Sequence, residues 1–176
     1  NDFVQEKTSL KKVFNVIPEY QNYLEKNIRL DRRMRVVVDA GNGTAGVVAC
    51  PILKKLGCEV IELYCEMDGR FPNHHPDPTL PEALKDLIKK VAETKADLGV
   101  AYDGDGDRIG VIDDQGDILW GDQLMIFFSR DILSSNPGSS IIFDVKASKV
   151  LYDEVEKLGG QPIMWKTGHS LIKKKI

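Results

Sequence analysis

"VVVDAGNGTAG...LKKLGCEVI", within residues 36–61, and "IIFDVKASKVLYDEVEKLGGQPI", residues 141–163, follow one plan. In each, an apolar run ends in aspartate, a polar loop opens a helix, the helix stops at Lys-Leu-Gly, and a second apolar run follows. Arg35 to Asp39 (RVVVD) is β-branched without a polar break, as a strand buried on both faces requires. Strand, helical crossover and strand make a right-handed βαβ unit with a parallel pair. Its recurrence predicts two domains of like topology, joined near residues 118–121. The expected fold class is α/β: two similar three-layer α/β/α domains with mixed sheets, over 1–118 and 119–176. The second is expected to be incomplete, because the chain stops just after opening a helix at Ser170.

Working outward, CEVIELY supplies the strand that closes the first unit. EMDGRFPNHHPDPTLP follows, and its prolines and Asp-Gly pair exclude regular structure over 66–81. Ordered loops of that length are often functional. From Pro81 to Lys95, Leu84, Leu87, Ile88 and Val91 recur at helical offsets, and Pro81 suits a first turn. LGVAY is a further strand, DGDGDR its outgoing loop, and IGVID with DILW around DDQG make a hairpin. A helix over 122–133 and a turn at SNPGSS lead into the second unit. Residues 1–33 read as one or two helices, with Tyr20, Tyr23 and Leu24 at helical offsets after Pro18. Pro51 either delays the start of the first unit's helix or bends it.

The 176 residues carry a formal charge of −3, which disfavours a general nucleic-acid surface. Lys173, Lys174 and Lys175 read as a solvated helix face. No run reaches the 18 or so apolar residues of a membrane span, and the start NDFVQEKTSLKK lacks the apolar centre of a secretion signal. The expected address is the cytoplasm. Cys50, Cys58 and Cys65 are odd in number without a CxxC spacing, so they read as free thiols rather than a disulfide framework or a zinc site.

Against this ordinary background AYDGDGDRIGVID, residues 101–113, is unusual. Asp103, Asp105 and Asp107 alternate with glycines and precede Arg108. At roughly 5 Å and an effective dielectric near 20, each carboxylate pair repels by about 3 kcal/mol, so a positive partner is expected. A loop after a parallel strand lies at the carboxyl edge of the sheet, where open α/β folds bind ligands. Oxygen ligands without His or Cys favour magnesium, with calcium or manganese as chemical substitutes. An acidic surface turn is the plain alternative. An EF-hand is excluded, because its sixth and twelfth positions would be Arg108 and Asp114, and a strand replaces the exiting helix. A phosphatase-type aspartyl nucleophile is not excluded by spacing. Arg108 either neutralises the acids or offers its fork to a phosphate held by the same ion.

Other candidates have plain readings beside functional ones. Gly41 to Gly43 could present N–H groups to an anion, though a close-packed turn is the favoured role. His74 and His75 are adjacent, point differently, and read as loop-shaping. Lys146, Lys166 and His169 lie where the second unit would place ligand contacts, each with an alternative as a surface or capping residue.

Taken together, VVVDAGNGTAG, DGRFPNHHPDP, AYDGDGDRIGVID, NPGSSIIFDVKAS and MWKTGHSLIKKK resemble the α-D-phosphohexomutases, in family order from residue 35 onward. Within them, FDVK with WKTGHSLIKKK resembles the bacterial phosphomannomutase/phosphoglucomutase type. The resemblance implies a four-domain enzyme whose first-domain phosphoserine phosphorylates a hexose phosphate. The bisphosphorylated sugar then turns over and returns its other phosphoryl group. It further implies that Asp103, Asp105 and Asp107 hold Mg2+, that Arg108 contacts the transferring phosphoryl group, and that Lys146 and His169 position the sugar phosphate and assist proton transfer. No TASHNP-like phosphoserine motif, GEMSGH-type sugar loop or fourth-domain phosphate loop occurs here. The chain is thus expected to be the second domain with part of the third, inactive alone, and its partners to be hexose phosphates and the parent enzyme's remaining domains. A non-catalytic metal- or sugar-phosphate-binding module is the competing reading.

Overall fold

The structure is a computed structural model that describes residues 13–176; the part of the helical expectation that falls on 1–12 lies outside the described residues. The first helix, α1 (Ile17–Asn27), has Pro18 in its opening turn and ends where Ile28 turns extended. Strand β1 (Arg35–Asp39) leads into α2 (Gly46–Lys55) and then β2 (Glu59–Leu63). A single 3-10 turn, Pro81–Leu84, leads into α3 (Lys85–Thr94), and strands β3 (Leu98–Tyr102), β4 (Ile109–Asp113) and β5 (Ile118–Leu119) follow. These strands form one sheet in the order β2-β1-β3-β4-β5. Its β2, β1 and β3 run parallel, whereas β4 and β5 return antiparallel.

Period-two alternation along β1 sends its side chains to opposite faces, and two cores result. Val37 packs with Leu84, Leu87 and Val91 of the α3 side, together with Ala101 and Ile112. Val36 and Val38 pack with Ala49 and Cys50 of α2, together with Cys58 and Val100. The helices therefore cover both faces, giving an α/β/α sandwich. Gly99 on β3 is where α3 presses closest: a Cβ there would lie 2.7 Å from Val91 Cγ2.

The second unit comprises α4 (Gly121–Ser135), β6 (Ser140–Asp144), α5 (Lys149–Lys157), β7 (Gln161–Trp165) and α6 (His169–Lys175). Its strands pair in parallel, Ile141 opposite Pro162 and Phe143 opposite Met164. Leu133, Ile141, Phe143, Leu151 and Val155 form a separate core. The described part of this sheet has two strands, so the mixed character of the fold resides in the first sheet.

The internal repeat extends to individual hydrogen bonds. Asp39 Oδ1 accepts from Gly41 N at 2.8 Å, and Asp144 Oδ1 accepts from Lys146 N at 2.9 Å, so each strand-ending aspartate folds its own loop. Each crossover helix then ends in the same motif. Cys58 N donates to Leu53 O and Gly57 N to Lys54 O; Gly160 N donates to Val155 O and Gly159 N to Glu156 O. Gly57 and Gly159 sit at φ of +91° and +78°, the left-handed conformation this termination requires. Pro51 lies inside α2, which starts on time at Gly46. The Val47 carbonyl that Pro51 cannot serve faces the Gln21 side-chain amide of α1 at 3.5 Å.

Candidate metal centre

The loops leaving β1 and β3 meet at the carboxyl edge of the first sheet. Thr44 N donates to Gly104 O at 3.1 Å, and a Cβ on Gly43 would stand 2.6 Å from that same oxygen. Gly43 is thus required by close approach of two backbones. Asn42 N donates to Tyr64 O and Gly43 N to Ala40 O, both at 2.7 Å. The N–H groups of this turn are committed within the protein, which leaves the close-packed turn as its role.

Residues 103–108 close the β3–β4 hairpin, with Gly106 at φ +76°. Asp103, Asp105 and Asp107 each bring one carboxylate oxygen to within 4.8 Å of the others. An octahedral ion with metal–oxygen bonds of about 2.1 Å spans about 4.2 Å between opposite ligands, so at most a small closure would bring all three into contact. Asp103 is buried, while Asp105 and Asp107 are exposed. The donor set is entirely hard oxygen, with open positions toward solvent, and it fits a divalent cation of the magnesium class.

Arg108 is tied back onto this cluster. Its backbone N donates to Asp103 Oδ1 at 3.0 Å and its Nε to Asp103 Oδ2 at 2.7 Å. Nη1 donates to Asp77 Oδ1 at 3.0 Å, a residue of the long loop after β2. Burial works against ionisation of Asp103, but the Arg108 N–H and guanidinium outweigh it and hold the carboxyl below its usual range. Asp107 is pushed up by its contact with Asp103 and by the charge of Asp105. One arginine therefore leaves the trio under-neutralised.

The long loop is itself anchored. His74 Nε2 lies 3.0 Å from Asp39 Oδ2, and His74 Nδ1 lies 3.0 Å from the His75 carbonyl. Both partners only accept, so satisfying both requires the doubly protonated imidazolium. The Asp39 carboxylate accordingly raises the His74 pKa. Asn73 Nδ2 donates to Asn42 Oδ1 at 2.7 Å, and Asn42 Nδ2 donates to Glu66 O at 2.8 Å. The loop-shaping role expected of His74 is what the structure has, and its partner is a fully buried aspartate.

Asp77 and Asp39 were not among the candidates the sequence singled out. The signal for Asp77 was local: an aspartate two residues before Thr79, whose N–H and hydroxyl it accepts at 3.1 and 2.7 Å. Lys146 and His169 are exposed, in the loop after β6 and at the start of α6. Both lie at the carboxyl end of the second sheet. Lys146 lines a cavity of about 590 Å³ with Trp120, Asp122, Met125 and Phe143. No hydrogen bond or ion pair joins either residue to the Asp103 loop among the described residues. A second potential ligand set, Cys50, Glu62 and Cys65, has its carboxylate paired with Lys54 at 2.5 Å. The three cysteines are free thiols.

The family model for phosphoglucomutase/phosphomannomutase, alpha/beta/alpha domain II, matches residues 18–116, and that for alpha/beta/alpha domain III matches 120–176. The chain belongs to the phosphoglucomutase/phosphomannomutase family. It is 52% identical over all 176 residues to a phosphomannomutase/phosphoglucomutase of Pseudomonas aeruginosa, covering 38% of that protein. It is 47% identical over 155 residues to a phosphoglucomutase of Neisseria meningitidis serogroup A, covering 88% of this chain and 34% of that protein. A crystal structure of a phosphoglucomutase/phosphomannomutase family protein from Burkholderia thailandensis superposes with TM-score 0.89 at 49% identity, over 92% of this chain and 35% of that one. The chain thus spans little more than a third of the relatives it matches, the part corresponding to family domains II and III. Among the described residues no helix is long and apolar enough to cross a membrane.

Proposed function

We propose that the protein carrying this chain is a magnesium-dependent, cytoplasmic phosphohexomutase that interconverts the 1- and 6-phosphates of mannose or glucose. The observation that carries this reading is the convergence of three carboxylates beside Arg108 at the sheet's carboxyl edge, in a chain of this family. Residues 1–118 form the domain that holds the metal, and 119–176 contribute part of the next. A phosphoserine from outside these residues donates its phosphoryl group to the sugar phosphate. The bisphosphorylated sugar reverses and returns its other phosphoryl group to the serine.

Asp103, Asp105 and Asp107 hold Mg2+, which when bound neutralises phosphoryl oxygens that would otherwise be repelled by the acids. Arg108 is fixed on one side by Asp103 and Asp77, which leaves Nη2 of its fork to meet a phosphoryl oxygen. Such alignment suits phosphoryl transfer, where positioning and charge neutralisation supply most of the acceleration. Lys146 and His169 contact the sugar phosphate from the second unit, position it and assist proton transfer. The remaining domains supply the donor serine, so the 176-residue chain alone is inactive.

The test measures interconversion of mannose and glucose 1- and 6-phosphates by the whole protein, beside Mg2+ titration calorimetry. Asp105→Asn is expected to weaken Mg2+ binding and lower turnover without unfolding the protein, since Asp105 is exposed. Absence of turnover with both hexoses, or unchanged Mg2+ binding in the variant, overturns the proposal.

A further inference from the structure

Cys50 and Cys65 have no place in the proposed chemistry, yet they are brought together from different elements. Cys50 is buried on α2; Cys65 follows β2 and is partly open to solvent. Their sulfurs lie 3.4 Å apart, and the Cys65 thiol is steadied by the carbonyls of Val38 at 3.3 Å and Leu63 at 3.4 Å. Cys58 is also buried, and among the described residues its sulfur makes no hydrogen bond to either of them. We propose that Cys50 and Cys65 are an oxidative modification site, which a hydroperoxide converts to an intramolecular disulfide.

The two thiols divide the work by their surroundings. Cys65 is the member that solvent reaches, so an oxidant meets it first, and the fraction of it present as thiolate is the nucleophile. Cys50 is buried on α2 and out of the oxidant's reach, so it acts second, on the sulfur already oxidised beside it. The Cys65 thiolate attacks one peroxide oxygen; an S–O bond forms, the O–O bond breaks, and the leaving hydroxide takes a proton to become water. Cys50 sulfur then attacks the sulfenic sulfur. The S–S bond forms as the S–O bond breaks, and the Cys50 proton leaves with hydroxide as a second water. Two thiols and one hydrogen peroxide thus give one disulfide and two waters.

Closing the sulfurs from 3.4 Å to a bond of about 2.05 Å requires a movement of roughly 1.3 Å. α2 already packs closely over Cys65, since a Cβ on Gly46 would lie 2.7 Å from the Cys65 carbonyl oxygen, so the helix backbone has little room to approach further. The movement therefore falls to the Cys50 and Cys65 side chains and to the exit of β2.

The experiment treats the whole protein with one equivalent of hydrogen peroxide and maps the peptides without reduction. Trypsin separates Cys50 from Cys65 at Lys54 and Lys55, but Cys58 and Cys65 share a peptide, so Cys58→Ala is mapped beside the natural protein. A Cys50–Cys65 link in both, reversed by dithiothreitol and abolished by Cys65→Ser, is the expected result. Should Cys65→Ser fail to fold, Cys50→Ala serves: its Cys65 sulfenic acid, lacking a resolving thiol, accumulates and is trapped by dimedone. Oxidation of Cys58 ahead of the pair, Cys65 recovered as sulfinic acid without the link, or no dimedone adduct in Cys50→Ala overturns the proposal.

Discussion

Replacing His74 with alanine tests the ion pair that fastens the 66–80 loop to the sheet. The pair is well excluded from water: the His74 side chain is 16% exposed and that of Asp39 is 0%. After the substitution Asp39 keeps, among the described residues, only the Gly41 N–H, a single bond for a buried carboxylate. Removing one partner of such a pair typically costs about 3–5 kcal/mol, because the other charge remains buried and uncompensated. That is a large share of the 5–15 kcal/mol a domain usually has. The pH dependence gives a second, independent readout. A histidine whose folded pKa is raised contributes stability that is fully present below its unfolded value near 6.5 and is lost as pH climbs through the raised folded value. Urea unfolding of the natural protein should therefore show stability falling from about pH 6.5 upward, and His74→Ala should lack that component. A cost under about 1 kcal/mol, or equal slopes for both proteins, refutes the assignment of a charged, structural pair.

Gly43→Ala should cost about 1–3 kcal/mol in denaturant unfolding and weaken Mg2+ binding, since its Cβ would meet backbone rather than a side chain that can swing away. Leu87→Ala, at a site with no exposure, should cost about 2–5 kcal/mol by the same measurement. Asp77→Ala should lower stability by about 1–2 kcal/mol, mostly through loss of the Thr79 N–H and hydroxyl bonds, since the pair with half-exposed Arg108 adds little. Under the proposed function it should nevertheless lower kcat/KM between about 10- and 100-fold by freeing the guanidinium, and unchanged kinetics would show that Asp77 does not position it.

Much of this arrangement was legible because it is local. The β-branched run 36–38 could only be a strand covered on both sides, and the Lys-Leu-Gly endings mark the two helix stops where Gly57 and Gly159 adopt positive φ. The three carboxylates were legible because alternation in a glycine-rich turn places them together on one short loop. The ties between loops were not. Asp77 and Arg108 are 31 residues apart and Asp39 and His74 are 35 apart, so no periodicity links them. The Cys50–Cys65 contact was invisible for the same reason: it arises from a helix folding back over the strand beside its own, and a spacing of 15 residues matches no ligand motif.

Those long-range ties explain how the acidic loop keeps its shape before any cation arrives. Three carboxylates within 4.8 Å repel one another by about 3 kcal/mol per pair at an effective dielectric near 20, and a single arginine offsets only part of this. A free hairpin loop would relieve the rest by splaying. Here Gly104 is pinned by Thr44 N–H, Asp103 by two bonds from Arg108, and Arg108 in turn by Asp77. Asp77 stands on a loop fastened three residues earlier by the His74–Asp39 pair. The cost of holding like charges together is thus carried in part by folding rather than by binding, and an incoming cation meets a loop backbone and an Asp103 carboxylate that need little further ordering. Cutting the chain of contacts at His74, about as far from the carboxylates as it extends, should therefore weaken cation binding although His74 touches none of the three acids.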